Sequence, residues 1–356
     1  MERLENLEKL RKELARRGDE PFYFQKDNYA DSFMVICEKI QERMQSSLWR
    51  MTLPPLGGAK PYRFDDLKDM IENFDWDILK TTYGRFYEGV IRDDKGVKVQ
   101  EVTIKTWDFF CPRQKYYADH PYTFCNELEI LTSEDPHPNL MKIKGFCFQE
   151  ALAVVYDEKP TMFLSVLLHF DTDFRLRGRI KVATQLASLI AWLHEKQFTV
   201  RAIDLSDIMI DEDLNIKVFD FIYLAPIGRI IKRCTPLFIM STQILLSMQA
   251  PLKADVYMFG VLLVELFAKI KKIPTPHYCW IQEQLQGGKK SIVDKSLLQD
   301  NDDDDELLAN SITTIAAKCL ERDPDARTGM KNVSVELSNL LDGARRERGT
   351  KRKAGS

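Results

Sequence analysis

The chain has 356 residues, with 51 Lys and Arg against 54 Asp and Glu, a net charge of −3 and a pI near 6.1. Charge this close to balance gives no global basic field and argues against nucleic acid as a partner. Seven scattered cysteines with no C-x-x-C pair offer neither a disulfide framework nor a zinc site, and no run approaches the ~18 apolar residues of a membrane span.

The first residues mix charge with leucine, unlike a signal peptide, and Glu2 stands where myristoylation needs glycine. Leu4, Leu7, Leu10 and Leu14 recur at helical spacing, and Phe33, Ile36, Cys37, Ile40 and Met44 repeat the stripe, predicting two amphipathic helices. Proline and glycine in Thr52–Gly58 break either period, so residues 1–58 read as a helical extension and linker ahead of a folded domain over 59–342. A helix is expected from Tyr62 to Phe74. Phe86–Ile91, a polar turn at Asp93–Gly96 and Val102–Lys105 then read as strand, turn and strand in a small antiparallel sheet.

Helical segments dominate from about residue 161, with Ile180, Ala183, Leu186, Ala187, Ile190 and Leu193 on one face, and later Val333, Leu337, Leu340 and Leu341. The pattern describes an α+β chain with a small sheet lobe over about 59–157 and a helical lobe over about 158–342. The acidic run Asp302–Glu306 reads as a solvated loop. Residues 343–356, basic at Arg345, Arg346, Arg348, Lys351, Arg352 and Lys353, read as a disordered tail; a nuclear-import or anionic-surface segment is the competing reading.

One constellation carries chemistry. Val200-Arg201-Ala202-Ile203-Asp204-Leu205-Ser206-Asp207 has the outline of H-R-D-x-x-x-x-N, and Asp220-Phe221-Ile222 follows a strand at the place of D-F-G. Upstream, Val102-Thr103-Ile104-Lys105 matches V-A-I-K, and Asn126-Glu127-Leu128-Glu129 supplies a helix glutamate to pair with the lysine, Glu129 being the competing partner. With His137-Pro138-Asn139-Leu140 and Ala254-Asp255-Val256-Tyr257-Met258-Phe259-Gly260 in correct order, the chain resembles protein kinases of the plant receptor-like cytoplasmic (RLK/Pelle) group over about residues 62–342. The resemblance implies a bilobal kinase-like fold and a site for ATP with magnesium. Lys105, Glu127, Glu158, Asp207 and Asp220 would surround the nucleotide, Asp207 and Asp220 as metal ligands. It also implies that Tyr156 is the gatekeeper residue before the hinge.

The same alignment shows what has been lost. Ala202 occupies the catalytic-base position and has no proton acceptor; Asp204 replaces the loop lysine and Asp207 the asparagine. The glycines of G-x-G-x-x-G fall on Leu79, Thr81 and Gly84, and leucine and β-branched threonine keep backbone from approaching phosphate closely. Each added carboxylate about 6 Å from a phosphate charge would repel it by roughly 3 kcal/mol at an effective dielectric near 20. Downstream, Met240-Ser241-Thr242 replaces A-P-E, which leaves Arg327 without the glutamate it normally meets and in need of another acceptor or water. Asp255 is expected to keep its hydrogen bond to backbone near Arg201.

These features resemble pseudokinase adaptors of plant immunity. The resemblance implies a cytoplasmic signalling scaffold, free or at the inner face of the plasma membrane, whose partner is an intracellular immune receptor or an active receptor-like kinase. A low-activity Ser/Thr kinase using ATP is the alternative.

Overall fold

Alternation along three strands decides where the first unit keeps its core. The computed structural model describes residues 56–71, 79–80, 84–107, 120–148, 152–158, 162–170, 173–200, 203, 205, 208–219, 221, 224–227, 251–270, 277–299 and 303–354. The predicted helices within residues 1–50 and the positions Asn73 and Phe74 lie outside them. The chain divides into two units, Met1–Pro160 and Thr161–Ser356.

In the first unit, strands β1 (Lys60–Pro61), β2 (Leu79–Lys80), β3 (Gly84–Arg92), β4 (Lys98–Trp107), β5 (Ile143–Cys147) and β6 (Ala153–Tyr156) form one sheet in the order β1-β5-β6-β4-β3-β2. It is antiparallel except at one edge, where β1 pairs parallel with β5. The β3–β4 turn is set by Asp93, whose carboxylate accepts from the Lys95 and Val97 amides at 2.9 and 2.8 Å, while Gly96 takes φ +77°.

Successive residues point to opposite faces. One face buries Tyr87, Val102, Ile104, Cys147, Ala153 and Val155 against Tyr62 and helix α1 (Phe64–Met70), through Leu67 and Met70. The chain can pass this close only because residue 145 is glycine: a Cβ there would sit 2.3 Å from the Lys60 carbonyl. The opposite face carries Phe86, Lys105, Trp107, Val154 and Tyr156, whose register partners Phe86↔Lys105 and Lys105↔Val154 put them on one side. Trp107 meets Phe124 of helix α2 (His120–Leu131) edge to face at 5.3 Å.

The expected linker ends earlier than the sequence suggested. Leu56 and Ala59 are buried and pair as a tight bridge, and Gly57 sits at φ +54° against the Thr132 carbonyl, where a side chain would be excluded.

The second unit is helical: α3 (Leu164–Phe170), α4 (Leu176–Glu195), α5 (Pro251–Ala268), α6 (His277–Gln286), α7 (Asp303–Cys319) and α8 (Met330–Ala354), with short strands β7 (Met162–Phe163), β8 (Phe198–Thr199), β9 (Ile208–Ile210), β10 (Ile216–Val218) and β11 (Ala225–Pro226). The predicted face of α4 is buried throughout, from Ile180 to Leu193. A sheet-rich unit followed by a helical one is the α+β class read from the pattern.

Two expectations are corrected here. The acidic run is not a solvated loop: Asp303–Glu306 form the first turn of α7, where the helix dipole favours negative charge. Asp305 is buried and accepts from Arg177 Nε at 3.2 Å and from the Gln299 amide at 3.0 Å. The basic C-terminal segment is helical as far as Ala354, because its alanine, arginine and lysine residues are strong helix formers and no proline stops α8.

Candidate functional site

Strand β4 delivers Lys105 to the sheet face that carries Phe86, Trp107 and Tyr156, and α2 delivers Glu127 opposite it. Their ion pair is formed, Nζ to Oε2 at 2.6 Å, with the two side chains only 2% and 1% exposed. The second oxygen of Glu127 is also engaged, accepting from the Tyr156 hydroxyl at 2.5 Å. The lysine ammonium lies 4.3 Å from the Trp107 ring centre and 5.9 Å from that of Phe86. Thr103, buried two residues before the lysine, donates through its hydroxyl to the Glu158 carbonyl at 2.7 Å. Glu158 itself is partly buried at the end of this unit.

A lysine that is to hold nucleotide phosphates must reach them. Here Lys105 is paired with Glu127, the pairing the family keeps when the lysine holds phosphate, and it lies against the Trp107 ring. Sequence reasoning found Lys105, Glu127 and Tyr156 but missed what surrounds them. Two signals were readable: the valine of G-x-G-x-x-G-x-V falls on Phe86, and the alanine of V-A-I-K on Thr103. Trp107 has no motif, only its place two residues past Lys105 on the same strand face. Of the three phosphate-loop positions, Leu79 lies in β2 paired with Phe86 and Gly84 opens β3, while Thr81 lies outside the described residues.

In the second unit, Asp255 of α5 is buried and its Oδ2 accepts from the Val200 amide at 2.8 Å, with His194 Nε2 also at 2.8 Å. The expected anchor to the backbone near Arg201 is thus made one residue earlier. Arg327, 2% exposed, has found other acceptors: Nε donates to the Glu321 carbonyl at 2.6 Å, and its two terminal nitrogens to the Lys253 carbonyl at 3.1 Å and the Arg322 carbonyl at 3.2 Å. Its guanidinium carbon stands 4.8 Å from the Tyr257 ring, and burial lowers its pKa below the usual arginine range. The Lys253 ammonium in turn donates to the Arg327 carbonyl. Ala202, Asp204, Asp207, Asp220 and Met240-Ser241-Thr242 lie outside the described residues.

In His137-Pro138-Asn139-Leu140, His137 Nδ1 accepts from the Asn139 amide at 3.2 Å. Burial lowers the imidazole pKa to about 4, against an opposing pull from Asp135.

Residues 73–337 match the protein tyrosine and serine/threonine kinase family, and the chain belongs to it. Family membership carries the general expectation of ATP with magnesium. Relatives in Arabidopsis thaliana include leaf rust 10 disease-resistance locus receptor-like protein kinase-like 1.4, 25% identical over 80% of this chain and 44% of the relative. Wall-associated receptor kinase-like 14 is 28% identical over 72% of this chain and 37% of its own length. A probable leucine-rich-repeat receptor-like serine/threonine-protein kinase is 28% identical over 77% and 27%. The chain therefore spans less than half the length of these relatives. Among the described residues, no helix is long and apolar enough to cross a membrane.

Proposed function

We propose that this chain is a pseudokinase that works as a signalling scaffold, holding protein partners without transferring phosphate. The observation that carries the reading is alanine at position 202, where the family places its catalytic base, in a fold whose frame is still built around Asp255 and Arg327. Loss of a general base removes about 10²–10⁴ in rate. Leu79 and Thr81 deny phosphate a close backbone approach, and Asp204 with Asp207 adds negative charge beside an anionic ligand. Magnesium–ATP is accordingly held weakly at most, with Asp207 and Asp220 as the metal ligands and Lys105, Glu127 and Glu158 around the nucleotide.

The names of the relatives support a setting in plant receptor-kinase or defence signalling, in the cytoplasm or at the inner face of the plasma membrane. The partner class is an intracellular immune receptor or an active receptor-like kinase. Affinity purification of the full chain beside a form lacking residues 1–58 tests this. An active kinase or receptor recovered by the full chain supports the scaffold; recovery of neither by either form counts against it. The retained Lys105–Glu127 pair favours one competing reading, a slow Ser/Thr kinase that relies on positioning and magnesium without a base.

A further inference from the structure

We infer that the basic end of α8 is a docking face for an anionic lipid bilayer, which it meets through charge and without inserting. The inference rests on the scaffold reading and names the surface that holds the scaffold in place. Residues 344–353 hold six Lys and Arg against Glu347, a net +5 within a chain of −3. At physiological salt charges are screened beyond about 8 Å, so this local excess decides what binds there.

The helix gives that charge a direction. α8 is packed near its start, where Val333 is 1% and Leu337 0% exposed, and is exposed by Asp342 and Gly343. At helical spacing the stripe through Val333, Leu337, Leu340 and Leu341 continues onto Ala344, Arg348 and Lys351, so charge replaces leucine on the line that packed the first turns. A segment built to stay on its own unit would keep the stripe apolar. The helix nevertheless runs on to Ala354, about 16 Å past Gly343. At about 100° per residue, Arg345, Arg346, Arg348, Arg352 and Lys353 fall within about 160° of arc, and Glu347 falls opposite.

One-sided charge suits a plane. A nucleic-acid groove encloses a helix, and a protein groove takes apolar anchors at i, i+3, i+4 and i+7. Ala344 is the only residue from 342 to 353 with an apolar side chain, so the segment offers no such anchors and nothing to bury among acyl chains. What remains is attraction to lipid headgroups, about fivefold in affinity for each Lys or Arg near the surface.

The test is co-sedimentation of the full chain with vesicles of phosphatidylcholine alone or with about 30% phosphatidylserine, at low and high salt. Binding should require phosphatidylserine and be lost at high salt. Arg345→Gln with Arg348→Gln and Arg352→Gln, three neighbours on one face changed to a good helix former, should weaken it about a hundredfold. Lys289→Gln with Lys290→Gln, an exposed pair elsewhere in the same unit, should leave it unchanged. No binding by wild type, or binding that the triple variant retains, would overturn the inference. A duplex oligonucleotide that strips the chain from vesicles at equal negative charge would also overturn it and reassign the face to nucleic acid. Recovery of a partner kinase or receptor without vesicle binding sinks the docking face and leaves the scaffold standing; vesicle binding with no partner recovered does the reverse.

Discussion

Replacing Arg327 with methionine is expected to destabilise the helical unit by about 2–4 kcal/mol, because three charge-assisted hydrogen bonds are lost and the desolvation of the cation is recovered. The guanidinium satisfies three carbonyls, those of Glu321, Lys253 and Arg322, and lies 4.8 Å from the Tyr257 ring. Hydrogen bonds from a charged group contribute about 1.5–3 kcal/mol each, and burying the cation offsets part of their sum. Methionine fills much of the volume but donates nothing. Arg327→Lys should fall between, because an ammonium is a point donor and cannot fork to three divergent carbonyls. Urea unfolding of the three proteins under identical conditions measures the differences. A loss below about 1 kcal/mol for the methionine variant would refute the claim that carbonyls have taken over from the missing glutamate.

Asp255→Ala should cost about 2–4 kcal/mol and speed hydrogen exchange at the Val200 amide, which would lose its acceptor; unchanged protection there would contradict the anchor. Stability should be full above pH 6.5 and fall as pH drops toward 4, because the unfolded His137 takes a proton near 6.5 while the folded one resists until about 4. The full shift would be about 3 kcal/mol, and solvent screening of this partly exposed ring reduces it to roughly 1–2. A His137→Gln series of urea midpoints with the same slope would show that another group is responsible. Ala202→Asp alone should not restore phosphate transfer, since Leu79, Thr81 and Asp204 remain; robust turnover in that variant would show that the base was the only defect.

What the sequence revealed follows the range of the forces involved. The buried face of α4, from Ile180 to Leu193, was legible because helical period and hydrophobicity are local properties. The Lys105–Glu127 pair was legible because the motif fixes each member separately. Arg327 was legible as a charge that needed an acceptor, but its actual partners were not: carbonyls have no sequence signature, and that of Lys253 comes from a separate helix. Asp305 was misread for a similar reason, because Arg177, whose guanidinium meets its buried carboxylate, lies 128 positions away. The placement of Phe86 opposite Lys105 depends on strand register, and register is decided by the pairing of whole strands. The helical tail was missed because charge was weighed above helix propensity.

The central claim is that a kinase frame persists here without the reaction. The most direct measurement is transfer of labelled γ-phosphate by the purified full chain, with magnesium, to itself and to a generic protein substrate, beside Asp220→Asn. Incorporation indistinguishable between the two proteins and from a no-enzyme control is the predicted result. Steady incorporation by wild type that the Asp220→Asn variant abolishes would contradict it.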